Sequence, residues 1–290
     1  MLSDSPTPQL ALFGFGNLGS AIVEGAIRRR VLHPREVVVV EPDPAARSAA
    51  ERLGLRAGRD PSDAAACGRL LVAVKPQCWP AVASAIEALP PHSDGDATRL
   101  LVSVMAGIAS SRIERECGGR VRVVRAMPNT PARIGLGITA VAATLATPQE
   151  RAFVRRLFDA VGEIVEVPES QFHAVTAVSG SGPAYVFRLA ECMEQAAKRL
   201  GLSAAVSRAL VSRTIRGAGS MLVEDGADPA SLRDAVTSRG GTTAAALEQF
   251  ERGGMEPAGV DAIAAAEARS RELSGDQPIA PESKPPAASS

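Results

Sequence analysis

The motif Gly14-Phe15-Gly16-Asn17-Leu18-Gly19 limits what this chain can fold into more than any other stretch. A short apolar run, residues 9–13, leads into it. A helical pattern carrying Ile22, Val23, Ala26 and Ile27 follows through Arg30. The run Val37–Val40 then reads as a fully buried strand closed by Glu41. Strand, glycine loop, helix and strand make the first unit of a fold that binds a nicotinamide or flavin dinucleotide. Glycine at 14 and 16 allows the turn and the approach of a pyrophosphate, and Gly19 allows close helix–strand packing. Glu41 stands at the ribose position, where a carboxylate accepts from a 2′-hydroxyl and repels a 2′-phosphate, favouring NADH over NADPH. The alternative is that Glu41 caps a turn with Asp43.

The alternation continues with helical patterns at 45–53, 80–89 and 110–117 and strands at 70–74, 100–104 and 121–124. Strands separated by helices imply a mostly parallel sheet covered on both faces. A helix at 148–161 and a short strand at 163–167 close this part. From Pro168 onward helical patterns take over, at 183–200, 203–223, 229–236, 243–252 and 256–273. In the first of these Val186, Leu189, Met193, Ala197 and Leu200 share one face. In the second, Gly217-Ala218-Gly219-Ser220 lets another helix come close, either between subunits or within the chain. The expected organisation is an α/β Rossmann-type dinucleotide-binding domain over residues 1–167 and an all-α domain over 168–273. The stretch 274–290, rich in Pro, Ser and Ala, is expected to be disordered.

Lys+Arg and Asp+Glu both number 32, so no net field argues for nucleic acid or an anionic membrane. The four cysteines are scattered, which disfavours a disulfide framework or zinc site and makes a reducing cytoplasm the expected compartment. The apolar runs are too short for a membrane span, and neither export nor a metal site is expected.

Ligands bind open α/β sheets at the carboxyl ends of strands. The turn Lys75-Pro76-Gln77, with Ala73 and Val74 before it, therefore borders the cofactor. Asn129 and Thr130, following strand 121–124, are placed to bond a ribose or a nicotinamide amide. In the second half, Val178-Ser179-Gly180-Ser181-Gly182-Pro183 and Thr237-Ser238-Arg239-Gly240-Gly241-Thr242-Thr243 are two glycine- and hydroxyl-rich helix starts. Such starts present unpaired N–H groups to an anion, and together they would hold a small carboxylic acid against the nicotinamide. The only histidines are His33, His92 and His173, the last reading as structural. Lys198 has no asparagine four residues on, and Tyr185, the only tyrosine, has no lysine there. A site without a strong general acid suits C=N better than C=O. A protonated imine needs no donor for a developing alkoxide, and a threonine hydroxyl suffices to orient its nitrogen.

These motifs resemble the pyrroline-5-carboxylate reductase family across residues 9–273. The resemblance rests on GFGNLG, AVKPQ at 73–77, RAMPNTP at 125–131, VSGSGPAY at 178–185 and the segment 229–251. In that segment Pro229, Leu232, Val236, Gly240, Gly241, Thr243, Ala246, Leu247 and Phe250 agree with the family signature. The resemblance implies reduction of 1-pyrroline-5-carboxylate to L-proline with NADPH or NADH. It implies a Rossmann domain, then an all-helical domain forming an intertwined homodimer, and assembly into larger rings, often decamers. The family's active site lies between the cofactor domain of one chain and the helical domain. By resemblance Gly16, Asn17 and Leu18 hold the pyrophosphate, and Ala73, Lys75 and Pro76 line the cofactor. Ser238, Thr242 and Thr243 bind the substrate carboxylate and ring nitrogen, with Thr243 catalytic. Glu169 falls where the family has an acidic residue near the substrate. Arg239 departs from the family's usual proline, and Glu41 from its small polar or basic residue, so cofactor choice does not carry over. A related cyclic imine acid such as piperideine-2-carboxylate is the second substrate reading. A dinucleotide-binding regulatory protein is the alternative that Arg239 keeps open.

Overall fold

The computed structural model describes residues 8–92, 98–143 and 146–275. Within them the chain forms two compact units, one running to Gly180 and resuming at Ala266, the other Ser181–Ala265. The stretch expected to be disordered lies, from residue 276 on, outside the described residues; Ser274 still belongs to a helix.

The first unit is built on strands β1 (Leu10–Phe13), β2 (Val37–Val40), β3 (Arg56–Gly58), β4 (Arg69–Val72), β5 (Arg99–Ser103), β6 (Val121–Met127), β7 (Gly137–Ala142) and β8 (Gly162–Glu166). They form one sheet in the order β3-β2-β1-β4-β5-β6-β7-β8. The first six are parallel; β7 returns antiparallel to β6, and β8 lies parallel to β7. The helices of this part are α1 (Asn17–Arg28), α2 (Pro44–Arg52), α3 (Trp79–Glu87), α4 (Ser110–Glu116) and α5 (Pro148–Asp159). Alternation along the strands feeds two cores. Leu10 and Leu12 pack with Ile22, Val23 and Phe158 on one face, and Ala11 and Phe13 with Trp79, Ile86 and Ile113 on the other. Each large side chain so enclosed contributes about 1.5–3 kcal/mol. The parallel sheet covered on both faces is therefore as expected.

Two strands stand where the pattern announces none. β3 is a three-residue edge strand with only Ala57 to bury. β7 pairs with the end of β6, which runs on to Met127 rather than stopping at residue 124. Helix α1 ends at Arg28 rather than Arg30, because Arg30 turns left-handed at φ 58°.

At the amino ends of the strands Arg99, 2% exposed, is held entirely by carbonyls. Its Nε donates to Cys67 O (3.0 Å) and its Nη2 to Ala65 O (2.9 Å) and Pro90 O (2.7 Å). Burial pushes the Cys67 and Cys117 thiols up to about 11 and about 12, so both stay protonated.

A short helix, α6 (Phe172–Val175), and a π-helical turn, Thr176–Gly180, end this stretch of the first unit. His173 is buried, with Nδ1 2.9 Å from Ser270 Oγ, as suits the structural part expected of it. The second unit holds α7 (Gly182–Arg199), α8 (Ala204–Met221), α9 (Pro229–Ala235), α10 (Thr242–Arg252) and the start of α11 (Met255–Ser274). Within the single chain α7 buries no residue, and Val186, Phe187, Leu189 and Leu200 all face outward. A side chain at Gly217 or Gly219 would meet nothing within 4 Å, so no other described residue packs against this small-residue face. No helix among the described residues is long and apolar enough to cross a membrane.

Candidate active site

The strand order reverses between β1 and β4, and their carboxyl ends part to open a crevice. A cavity of about 650 Å³ lies there. Of the expected residues, Gly14, Gly16, Glu41, Ala73, Val74 and Lys75 line it. Gly14 takes φ +93°, and a Cβ on it would lie 2.9 Å from Ala73 O, so only glycine lets the loop pass over β4. A Cβ on Gly19 would lie 2.3 Å from Gly14 O, which is why the helix can start so close to the strand. Around Gly16 there is open space, and no side chain caps α1, leaving its first-turn N–H groups for an anion. This cradle fits the diphosphate of a dinucleotide.

Phe15, Asn17, Leu18, Gly19, Pro76 and Asn129 do not line the cavity. The Phe15 ring is in the core, and its N–H donates to Glu41 Oε2 at 2.7 Å. Asn17 opens α1, Leu18 packs against the core, and Pro76 starts a short 3₁₀ turn. Glu41 Oε1 accepts from Asp43 N at 2.9 Å, and Arg47 Nη1 holds the Glu41 and Pro42 carbonyls, each at 2.8 Å. Glu41 is thus both a wall of the cavity and the cap of its own turn, and each carboxylate oxygen keeps a second acceptor site. Arg59, Cys78 and Val82 also line the cavity and were not expected there. Arg59 follows the edge strand β3, which has no local pattern of its own, and Cys78 stands one residue past Gln77, close to the end of β4.

Asn129 was expected at a ribose or nicotinamide amide, but its side chain is engaged within the protein. Its Oδ1 accepts from Ile138 N (3.1 Å) and its Nδ2 reaches Ser179 Oγ (3.4 Å), tying the end of β6 to the π turn. Glu169 is likewise engaged. Its Oε1 accepts from Ser110 N (2.8 Å) and from Arg125 Nη1 (3.0 Å), whose guanidinium lies 4.6 Å over the Phe172 ring. Burial pushes the Glu169 carboxyl up, but the Ser110 bonds and Arg125 outweigh it and hold it below the usual range. Glu169 therefore braces β6, the start of α4 and the segment leading into α6.

In the second unit the loop before α10 is formed by its glycines. Gly240 takes φ +69°, and Gly241 N donates to Ser238 O at 3.0 Å. Thr237 Oγ1 is spent on Arg233 O (2.6 Å). The α10 start has no side-chain cap, and among the described residues the Thr242 and Thr243 hydroxyls make no hydrogen bond. Hydroxyls and unpaired N–H groups at one helix start are donors from which a carboxylate can accept.

A family model described as pyrroline-5-carboxylate reductase dimerisation matches residues 169–273. A second, described as NADP oxidoreductase coenzyme F420-dependent, matches residues 9–107. The pyrroline-5-carboxylate reductase of Synechocystis sp. is 38% identical over 269 residues, spanning 91% of this chain and 98% of the relative. The solved pyrroline-5-carboxylate reductase of Coxiella burnetii matches with TM-score 0.82 at 31% identity, over 93% of this chain and 99% of that one. The Plasmodium falciparum pyrroline carboxylate reductase, solved with NADP bound, matches with TM-score 0.80 at 26% identity, over 92% and 98%. With relatives this similar along nearly their whole length, the chain belongs to the pyrroline-5-carboxylate reductase family.

Proposed function

We infer that the chain reduces 1-pyrroline-5-carboxylate to L-proline, the last step of proline synthesis, with NADH or NADPH as reductant. The observation that carries this reading is the uncapped start of α10, with Thr242 and Thr243 hydroxyls that make no hydrogen bond among the described residues. Ser238, Thr242 and the first N–H groups of α10 receive the substrate carboxylate, and the loop around Gly240 and Gly241 shapes that seat. Thr243 orients the ring nitrogen. With the imine entering protonated, a nicotinamide held beside it would supply hydride to the carbon next to nitrogen, and the C=N electron pair would become the nitrogen lone pair. The product amine is neutral, so no residue has to donate a proton during the step.

Gly14, Gly16, Asn17, Leu18 and the start of α1 hold the diphosphate, while Phe15 and Gly19 shape that loop. Ala73, Val74, Lys75 and Pro76 border the cofactor, and Glu41 stands at the ribose. Glu169, Ser179 and Asn129 serve the substrate side by positioning the 169–180 segment, which is supported by the Arg125 and Ile138 bonds. We place the functional boundary between the cofactor part and the substrate and dimerisation part at residues 167/168. The chain forms a homo-oligomer through its dimerisation domain. Assembly of dimers into a decamer, and a cytoplasmic location, complete the proposal.

Initial rates on 1-pyrroline-5-carboxylate with NADH and NADPH, side by side, test the reading. Turnover with at least one is expected. A protein that binds dinucleotide and turns over with neither would move the assignment to a related cyclic imine acid. A Cβ at position 241 would lie 2.3 Å from Ser238 Oγ. Gly241→Ala should displace that hydroxyl and raise KM for the imine about tenfold, the equivalent of one hydrogen bond of ~1.4 kcal/mol. An unchanged KM would remove Ser238 from the carboxylate seat.

A further inference from the structure

We propose that Arg59 is the residue that admits the phosphorylated cofactor, its guanidinium receiving the 2′-phosphate, while Glu41 braces the glycine loop for both cofactors. The inference rests on reading the cavity as the adenosine end of the dinucleotide site. Three charged side chains line that cavity: Glu41, Arg59 and Lys75. The adenosine ribose of a Rossmann fold lies at the end of β2. Lys75 follows β4, on the other side of β1, whereas Arg59 follows β3, the outer neighbour of β2. The ladder brings them side by side, with Val40 opposite Gly58 and Glu41 N donating to Gly58 O at 2.9 Å.

Arg59 is exposed and makes no hydrogen bond among the described residues. Its charge is felt by Asp60, but the Asp60 carboxylate caps Ser62 N at 2.8 Å. Glu41, by contrast, already accepts from Phe15 and Asp43. A planar, always-charged guanidinium beside the ribose is the group that binds a phosphate dianion by two bonds at once.

The test is the ratio of dissociation constants for NADP⁺ and NAD⁺, measured by calorimetry on the full chain. In Arg59→Ala the ratio should shift about tenfold to a hundredfold against NADP⁺, and Arg59→Lys should restore part of it. Glu41→Ala should weaken both nucleotides together, because the Phe15 N–H loses its acceptor. An unmoved ratio in Arg59→Ala overturns the proposal, as does Glu41→Ala improving NADP⁺ while leaving NAD⁺ intact. A native chain that binds NAD⁺ alone also overturns it. Binding of neither nucleotide sinks the dinucleotide reading itself, and this proposal with it.

Discussion

Thr243→Ala is expected to lower kcat by about a hundredfold or more, in line with the loss of a group that orients the reacting nitrogen. The hydroxyl stands at the second position of α10, where it caps nothing, so its removal costs the helix little. Alanine is the better helix former there, by a few tenths of a kcal/mol. The loss should therefore be chemical, with the melting temperature unmoved and Thr243→Ser keeping most of the rate. KM should change less than kcat, because Ser238, Thr242 and the helix start still seat the carboxylate. Steady-state rates on the three proteins decide it, and near-native turnover in Thr243→Ala would take this residue out of the reaction.

Arg99→Met is expected to cost about 3–5 kcal/mol of folding stability, a large part of the ~5–15 kcal/mol typical of a domain. Methionine keeps the apolar stem but removes donors from three carbonyls, those of Cys67, Ala65 and Pro90. Each buried acceptor left without a partner costs about 1–3 kcal/mol. Two of the three sites are only part-buried, so water recovers some of that. Arg99 opens β5 at the amino-terminal end of the strands, away from the cavity at their carboxyl ends, so kcat per folded molecule should hold. The midpoint of chemical denaturation measures the effect; a loss below about 1 kcal/mol would mean that water replaces the guanidinium completely.

The parts of this fold legible in the sequence are those whose signal is local. Four consecutive valines at Val37–Val40 are hard to read as anything but a buried strand, and Gly14, Gly16 and Gly19 announce their own close contacts. The long helices of the second half show their spacing over many turns. What stayed hidden depends on partners distant in sequence. Arg56–Gly58 is a strand only because Val38–Val40 lies beside it, so Arg59 could not be placed at the cavity. The antiparallel return of Gly137–Ala142 is set by pairing with Arg125–Met127, not by its own composition. The residue types at Glu41, Asn129 and Glu169 pointed to polar work near ligands. Only the structure shows their side chains meeting Phe15, Ile138 and Arg125.

Helix α7, 18 residues long and burying none of them within its own chain, makes the integrity of the second half a question of mass action. If another copy encloses this helix in the homo-oligomer, its ordering and the association become one equilibrium. Each tenfold drop in protomer concentration then removes about 1.4 kcal/mol from the assembled state. For this half of the molecule, dilution acts as a denaturant does.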